Sequence, residues 1–291
     1  DGRARKVQKK EKECAGGRAL TVVTYNVNFG CSGYEESRAA ALDAVCSVPE
    51  AVDVILIQES NAEWAEFFFM ELQAELPFIH FADCEQWPAG GSGILSKHPI
   101  VSSEEIESDT DWFPTWVYRI ALEGGDEPEI VQLINVHTRP GLSAGTIERQ
   151  ALDAVLHTYS EFNQAKKDRV TDFKTVMKAV NDDEPKIYAG DFNESHTGFY
   201  SGQLLRHLHD QHGFEEALKV LGISGNTWHW PMLFGLEFTA QFDYIGFDTR
   251  FFNVSSAGIV RKGPSDHYPV FATFHWLPSD SAASEDDEDA E

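Results

Sequence analysis

The chain has 291 residues, 42 % of them hydrophobic, which is enough to bury the core of one large α/β domain. Its apolar runs are short, and none approaches the roughly 20 residues that a membrane-spanning helix needs, so the sequence excludes a transmembrane protein. The net charge of −25 repels polyanions at long range and argues against a protein that passively coats nucleic acid. An enzyme that reaches phosphate groups through a divalent cation is compatible with this charge, because the cation inverts its local sign.

The two ends of the chain differ in charge from its body. Residues 1–18 carry seven basic side chains against three acidic ones, whereas residues 280–291 carry seven acids and no base. We expect a flexible basic N-terminal segment over 1–18 and a disordered acidic tail over 279–291. No internal repeat or long linker interrupts the remainder, which predicts one domain over 19–278. No signal peptide is visible in this chain, its compartment is left open, and we expect a monomer.

Apolar runs of strand and helix character alternate along the body of the chain. In chain order they predict a strand at Leu20–Val27, a helix at Glu35–Val48, a buried strand at Val52–Ile57, a helix at Ala62–Leu76 capped by Asn61, strands at Phe78–Phe81, Gly93–Ser96, Trp116–Leu122 and Ile130–Val136, a long helical stretch from Gly145 to Val180, a strand at Lys186–Ala189, a helix near Gln203–His212, and strands at Gln241–Phe247, Phe252–Ile259 and Val270–Trp276. Helices dispersed among strands in this way suit two packed sheets flanked by helices.

Polar residues follow the end of an apolar strand at five places, which is where α/β folds position their sites. These stretches are Tyr25–Asn28, Ile57–Ser60, Asn135–Pro140, Gly190–Asn193 and Ser265–Pro269. A sixth stretch places Asp243 inside an apolar run, where a buried carboxylate needs a partner. Each of the others, taken alone, also fits a helix cap, a turn or a core histidine.

Taken together, the six stretches indicate chemistry on phosphate. Glu59 and Asp266 supply hard oxygen atoms of the kind that Mg²⁺ or Mn²⁺ prefers. A histidine beside a carboxylate moves protons near neutral pH. Asn26 and Asn193 can donate hydrogen bonds to phosphoryl oxygens without adding charge. No Gly-x-x-x-x-Gly-Lys loop is present, so hydrolysis is favoured over nucleotide-driven phosphoryl transfer.

The ordered motifs YNVN, IQES, GGSGILSKHPI, NVHTRP, GDFN, FDYI and PSDHYPV resemble those of the endonuclease/exonuclease/phosphatase superfamily, the deoxyribonuclease-I-like hydrolases. The resemblance covers about residues 20–276. It implies an α/β (α+β) four-layer sandwich, with two mixed β-sheets packed face to face, helices on both outer sides and a divalent-metal site at one end. The NVHTRPG and NTWHWP stretches are similar to a branch with an H-x-R-P loop. Asn28 stands where abasic-site nucleases and tyrosyl-DNA phosphodiesterases have Asp, which argues against that branch.

The resemblance also implies a metal site and a group that handles water. It assigns Glu59 as the main ligand of Mg²⁺ or Mn²⁺, assisted by Asn26 and Asp266. Asp191 resembles the acid that orients or deprotonates the attacking water, and Asn193 lies beside it on the phosphate.

Two histidines receive roles from the same resemblance. His267 resembles the histidine that contacts the scissile phosphate, and Asp243 resembles the acid that fixes its tautomer. His137 resembles the second histidine of the nuclease and sphingomyelinase branches, although the sequence offers no convincing acid to pair with it. Arg139, two residues further on, could hold a phosphate oxygen; a salt bridge in an acid-rich protein is the alternative.

These observations predict a metal-dependent phosphoesterase that acts on phosphodiester bonds, with nuclease-like activity on DNA or RNA. The alternative substrates are phosphomonoesters, inositol phosphates and sphingolipid head groups, the last two cut by a phosphatase or a phospholipase C-type enzyme. A non-catalytic relative that binds a partner through the same fold is the alternative of another class. Aromatic residues near the site loops, at Trp112–Trp116 and Trp228–Trp230, either stack a base, cradle a lipid or belong to the core.

Overall fold

The computed structural model describes residues 18–123, 128–141, 152–197, 201–231 and 237–277. The predicted acidic tail and, apart from Arg18, the predicted basic segment lie outside the described residues. None of the helices within these ranges is both long enough and apolar enough to cross a membrane.

The described residues form fourteen strands and five α-helices. The strands are β1 (Ala19–Asn26), β2 (Val54–Gln58), β3 (Phe78–Ala82), β4 (Ser92–Ser96), β5 (Ile100–Ile106), β6 (Thr115–Leu122), β7 (Glu129–His137), β8 (Lys186–Asp191), β9 (Phe214–Glu216), β10 (Trp228–Pro231), β11 (Glu237–Ala240), β12 (Asp243–Asp248), β13 (Phe252–Ile259) and β14 (Val270–Trp276). The helices are α1 (Glu35–Cys46), α2 (Ala62–Leu72), α3 (Leu152–Ala179), α4 (Leu204–His212) and α5 (Ala217–Val220).

Two mixed sheets of six strands each make the body of the fold. One has the order β13-β14-β1-β2-β4-β3 and the other β5-β6-β7-β8-β12-β9. Each contains one parallel pair, β1 with β2 and β7 with β8, among antiparallel neighbours. A separate hairpin, β10–β11, stands beside them. The predicted sandwich of two mixed sheets is confirmed.

The sheets pack face to face because their central strands are apolar on both sides. Val22 and Leu56 point into the core between the sheets, where they join Leu133 of the other sheet. The alternate residues, such as Val23, lie in a second core with α1 and α2. A third core joins α3 and α4 to the outer face of the second sheet, at Ile134 among others. Strands covered on both faces read as continuous apolar runs, which is why the sequence predicts them well.

Strand register brings the predicted site residues to one end of the sandwich. The parallel strands β1 and β2 finish together, with Asn26 opposite Gln58. The parallel strands β7 and β8 finish with His137 opposite Asp191. The antiparallel strand β12 begins at this same end, with Asp243 opposite Asp191.

Candidate active site

Asn26 joins carboxylates that come from the two different sheets. Its Nδ2 donates to Glu59 Oε1 at 3.0 Å and to Asp191 Oδ2 at 3.2 Å. Its Oδ1 accepts from the backbone N–H of Asn28 at 3.1 Å. Because a backbone N–H can only donate, this bond fixes the amide with its NH₂ group toward the acids. Asn26 therefore acts as a hydrogen-bond donor to both carboxylates in this arrangement, although the resemblance assigns it to the metal.

His267 lies between two buried carboxylates. Its Nδ1 is 2.8 Å from Asp243 Oδ2, and its Nε2 is 3.7 Å from Asp191 Oδ2. Burial lowers the pKa of His267, but the charges of Asp243 and Asp191 outweigh burial and raise it to about 10. The ring is therefore an imidazolium at neutral pH, with Nδ1 held by Asp243 and Nε2 directed toward the site.

The Asp191 segment is tightly tied to the end of β7. Asp191 Oδ1 accepts from the backbone N–H of Asn193 at 2.8 Å, and Asn193 Nδ2 donates to the carbonyl oxygen of Thr138 at 2.9 Å. Gly190 lets the strands approach this closely, since a Cβ there would lie 1.8 Å from the carbonyl oxygen of Val136. Burial, only partly offset by His267, raises the pKa of the Asp191 carboxyl.

Backbone strain concentrates at this end of the sandwich. Asn28, Glu59 and Asn193 have φ values of 56°, 55° and 48°. Asparagine tolerates this left-handed region, but glutamate pays a steric cost that the surrounding structure must offset. The Glu59 carboxylate accepts the hydrogen bond from Asn26 Nδ2 at 3.0 Å. Burial raises the pKa of Glu59 to about 7, although the bond from Asn26 opposes this shift.

Asp266 reaches the site through two side chains that the sequence did not single out as its partners. Its Oδ1 accepts from Asn28 Nδ2 at 2.9 Å, and its Oδ2 accepts from Trp228 Nε1 at 3.1 Å. Thr227, next to that tryptophan, accepts from the backbone N–H of Asp243 at 3.0 Å. Asparagine and threonine are common turn residues, so these contacts carry no sequence signal of their own.

His137 stands over the same carboxylates in a neutral form. Its Nε2 lies 3.8 Å from Asp191 Oδ2 and 3.9 Å from Glu59 Oε1. Its ring stacks on Phe113 with centroids 4.1 Å apart. Burial lowers the pKa of His137 to about 4. Within the described ranges, no acid lies within hydrogen-bond distance of its Nδ1.

Arg139, in contrast, is directed away from these groups. Its guanidinium bonds Asp168 and, at 2.6 Å, Glu161, both on α3, and lies over the ring of Trp112 at 4.8 Å. These contacts favour the salt-bridge alternative, and its predicted role in phosphate binding stays a prediction.

Replacement of Arg139 by alanine tests that alternative. We expect a loss of about 3–5 kcal/mol in the free energy of unfolding, because two carboxylates near the protein interior lose their partner, and little change in KM for a phosphodiester. Arg119→Ala is the matched control: Arg119 pairs with Glu184 but its side chain is 40 % exposed, against 11 % for Arg139. We expect that loss to be below about 1 kcal/mol. A raised KM with unchanged stability would instead show that Arg139 binds the substrate.

The donor set fits a divalent cation. Four carboxylates, those of Glu59, Asp191, Asp243 and Asp266, converge around a single imidazolium. Such an excess of negative charge is unfavourable in a partly buried site unless a cation neutralises it, and oxygen donors suit Mg²⁺ or Mn²⁺. Asp191, Asp243 and His267 each offer one atom that could bind a metal, and these three atoms lie within 4.8 Å of one another. Within this group, Asp243 and His267 bind each other.

The predicted site residues thus fall into two groups. The structure brings together Asn26, Glu59, His137, Asp191, Asn193, Asp243, Asp266 and His267. It turns Arg139 toward α3. The role of each residue in binding metal or substrate stays a prediction.

Solved structures share this fold. The human Nocturnin catalytic domain, solved with a bound sulfate anion, aligns with a TM-score of 0.64 at 16 % identity, over 89 % of this chain and 94 % of that one. D. rerio TDP2, complexed with a single-stranded DNA product, aligns with a TM-score of 0.61 at 17 % identity, over 88 % and 99 %. An endonuclease/exonuclease/phosphatase family protein from Leptotrichia buccalis C-1013-b aligns with a TM-score of 0.60 at 15 % identity, over 88 % and 99 %. At these identities the similarity shows the fold alone.

Comparison with curated proteins finds no match to this sequence. A sequence model of the endonuclease/exonuclease/phosphatase family, however, matches residues 23–267, which include every predicted site residue. Enzymes of this family are hydrolases, mostly phosphodiesterases and nucleases, and they use divalent metal ions. The match spans most of the chain and agrees with the sandwich of two mixed sheets. The chain therefore belongs to the endonuclease/exonuclease/phosphatase family.

Proposed function

We propose that this protein is a Mg²⁺- or Mn²⁺-dependent phosphodiesterase with nuclease-like activity. The observation that carries the proposal is the array of Asp243, His267 and Asp191 beside Glu59. It sets a charged donor and a carboxylate acceptor 3.7 Å apart at one end of the sandwich. A phosphoryl group needs both kinds of group nearby, one for its oxygens and one for the attacking water.

His267 would donate a hydrogen bond from its Nε2–H to a non-bridging oxygen of the phosphate. Asp243 holds Nδ1 and so fixes which nitrogen faces the substrate. The imidazolium would stabilise the negative charge that builds up as water attacks. A divalent ion held by Glu59 would supply Lewis-acid polarisation of the same phosphate.

Asp191 would orient the attacking water and accept its proton. Its raised pKa makes it a better base than an exposed aspartate. Asn193, whose Nδ2 lies 3.2 Å from Asp191 Oδ2, holds the carboxylate in place. The neutral Nε2 of His137, 3.8 Å from Asp191 Oδ2, is suited to a hydrogen bond with the substrate.

Charge favours a diester over a monoester as the substrate. A diester carries one negative charge at neutral pH. A monoester or an inositol phosphate carries more negative charge and needs a cluster of basic side chains to neutralise it. Among the described residues, three basic side chains near this end already have partners: Arg139 pairs with α3, Lys262 pairs with Asp43 at 3.2 Å, and Arg261 lies over the ring of Tyr268.

The test is hydrolysis of bis-p-nitrophenyl phosphate and of p-nitrophenyl phosphate, each with Mg²⁺, with Mn²⁺ and with EDTA. We expect cleavage of the diester that requires metal and is abolished by EDTA. Cleavage of the monoester alone would move the proposal to a phosphatase. If neither ester is cut and the folded protein binds no divalent metal, the non-catalytic alternative takes its place.

A further inference from the structure

A buried ion pair ties α3 to the chain that follows Asp191. Arg169 on α3 has 2 % of its side chain exposed, and Glu194, which follows Asn193, has none. Nη1 of Arg169 is 3.6 Å from Oε2 of Glu194, and in the described part of the chain neither side chain has another ion-pair partner. Burial lowers the pKa of Arg169 and raises the pKa of Glu194, and in each case the charge of the other opposes the shift. Each side chain therefore helps the other to stay charged.

The place of Arg169 on α3 is one where an apolar side chain would pack. Buried residues recur at helical spacing on this face of the helix, and Arg169 lies four residues from both Ala165 and Phe173. Phe173 belongs to the third core, where its ring centroid is 6.4 Å from that of Phe192. Replacing a buried ion pair by apolar residues of similar volume is often neutral or stabilising. Stability alone therefore does not account for a charge at this position.

The contacts of the pair lead to the two segments that carry the site. Nε of Arg169 donates to the carbonyl oxygen of Arg139, in the segment after β7, at 2.8 Å. Oε1 of Glu194 accepts from the backbone N–H of Leu205, in the first turn of α4, at 2.9 Å. Gly202 lets the chain close over this carboxylate, since a Cβ there would lie 1.6 Å from Oε2 of Glu194. The pair therefore joins the segment after β7, the segment after β8 and α4 at one point.

Asn193 lies between these anchors and needs them. Its φ of 48° lies in the left-handed region, which residues other than glycine enter rarely and keep when the surrounding structure imposes it. On one side, its Nδ2 donates to the carbonyl oxygen of Thr138. On the other side, the next residue is Glu194, which Arg169 holds. Because Asn193 also bonds the carboxylate of Asp191, the same anchors fix that carboxylate.

We propose that Arg169 is a positioning residue for the reaction: through Glu194 and the carbonyl oxygen of Arg139 it holds Asn193 and, with it, the carboxylate of Asp191. The inference rests on the proposed phosphodiesterase function, in which Asp191 orients the attacking water. The guanidinium is buried and acts through these residues rather than on the substrate. A displacement of about 1 Å in the reacting geometry costs about 10²-fold in rate, so loss of Arg169 should appear in kcat.

The test uses two variants that leave no unpaired charge in the interior. Arg169→Lys keeps the cation but loses the planar fork that reaches two groups at once. The double variant Arg169→Met/Glu194→Gln removes both charges and keeps an oxygen that can accept from Leu205. We expect both variants to fold. On bis-p-nitrophenyl phosphate at saturating Mn²⁺, each should lower kcat by about 10- to 100-fold with little change in KM.

Lys186→Met is the matched control. Lys186 lies at the other end of β8 and forms a buried ion pair with Asp248 at 4.0 Å, with 2 % and 1 % of the two side chains exposed. Asp248 keeps Arg250 as a partner at 2.6 Å, so this variant should also fold. We expect it to lower the melting temperature and to leave kcat at the wild-type value.

Asn193→Ala separates positioning from a general effect on stability. If Arg169 acts through Asn193, then Arg169→Lys should lower kcat less in the Asn193→Ala protein than in the wild type. A structural role elsewhere in the fold would give the same factor in both proteins.

Several results would overturn the positioning role while leaving the phosphodiesterase intact. These are a wild-type kcat in both Arg169 variants, an equal loss of kcat in Lys186→Met, and an undiminished effect of Arg169→Lys in the Asn193→Ala protein. Failure of both Arg169 variants to fold, with Lys186→Met folded, would assign the pair to stability and overturn the positioning role as well. Failure of the wild type to cut the diester would instead overturn the proposed function, and this inference with it.

Discussion

Replacement of His267 by alanine is expected to lower kcat on a phosphodiester by about 10²–10⁴-fold. The variant loses the only charged donor that the described residues aim at the centre of the site, and leaves Asp243 and Asp191 facing each other without a cation. The measurement is single-turnover hydrolysis of bis-p-nitrophenyl phosphate at saturating Mn²⁺, with KM determined separately. Because the lost interaction forms with the transition state, kcat should fall more than KM rises.

The control for this experiment is His209→Ala. His209 also pairs with a carboxylate, Glu215, at 3.4 Å, but lies on α4 at the surface. That variant should keep full activity. An inactive His209 variant would point to general loss of folding, and an active His267→Ala variant would remove His267 from catalysis.

Asp243→Asn separates positioning from direct catalysis. Asp243 binds Nδ1 of His267 and is proposed to act through that ring, so its effect should vanish in a protein that already lacks His267. We expect the double variant to be no slower than His267→Ala alone. In the single Asp243→Asn variant the pKa of His267 should fall, because the main charge that raises it is removed. Loss of activity with rising pH should therefore begin at a lower pH than in the wild type.

The sequence predicted those strands whose residues are buried on both faces. β2 and β8 are apolar throughout their central residues and have strong signals. β5 was missed because its middle residues, Val101–Glu105, are all exposed at the edge of the sheet and show neither an apolar run nor an alternation. The hairpin β10–β11 was missed for a related reason, since it packs beside the sheets rather than within them.

The site was predictable where a residue follows a strong strand. Asn26, Glu59 and Asp191 belong to this class, and parallel pairing brings their strand ends together. Contacts between distant segments were not predictable. Arg139 bonds Glu161 and Asp168 on α3, which lie 22 and 29 positions further along the chain. Trp228 bonds Asp266, which lies 38 positions further along. No local pattern encodes such pairs, because their partners lie far apart in the sequence.

Glu59→Gln is expected to have opposite effects on stability with and without metal. The variant keeps an oxygen that can accept from Asn26, but it removes the negative charge proposed to hold the cation. We therefore expect its Mn²⁺ affinity, measured by titration calorimetry, to fall at least about tenfold, a change of about 1.4 kcal/mol. With saturating Mn²⁺ the wild type should have the higher melting temperature, because it binds the ligand more tightly in its folded state.

In EDTA the order of stabilities should reverse above pH 7. The pKa of Glu59 is raised to about 7 by burial, above its value in the unfolded chain. The folded state therefore holds this proton more tightly, and stability falls as pH rises from about 4.5 through 7. Glutamine does not titrate, so Glu59→Gln should melt higher than the wild type at pH 8 in EDTA and show a weaker pH dependence. Glu66→Gln, an exposed position on α2, should match the wild type in both conditions. If Glu59→Gln also matches the wild type in both conditions, the Glu59 carboxylate neither holds the metal nor carries a buried charge. The cation must then be held by Asp191 and its neighbours.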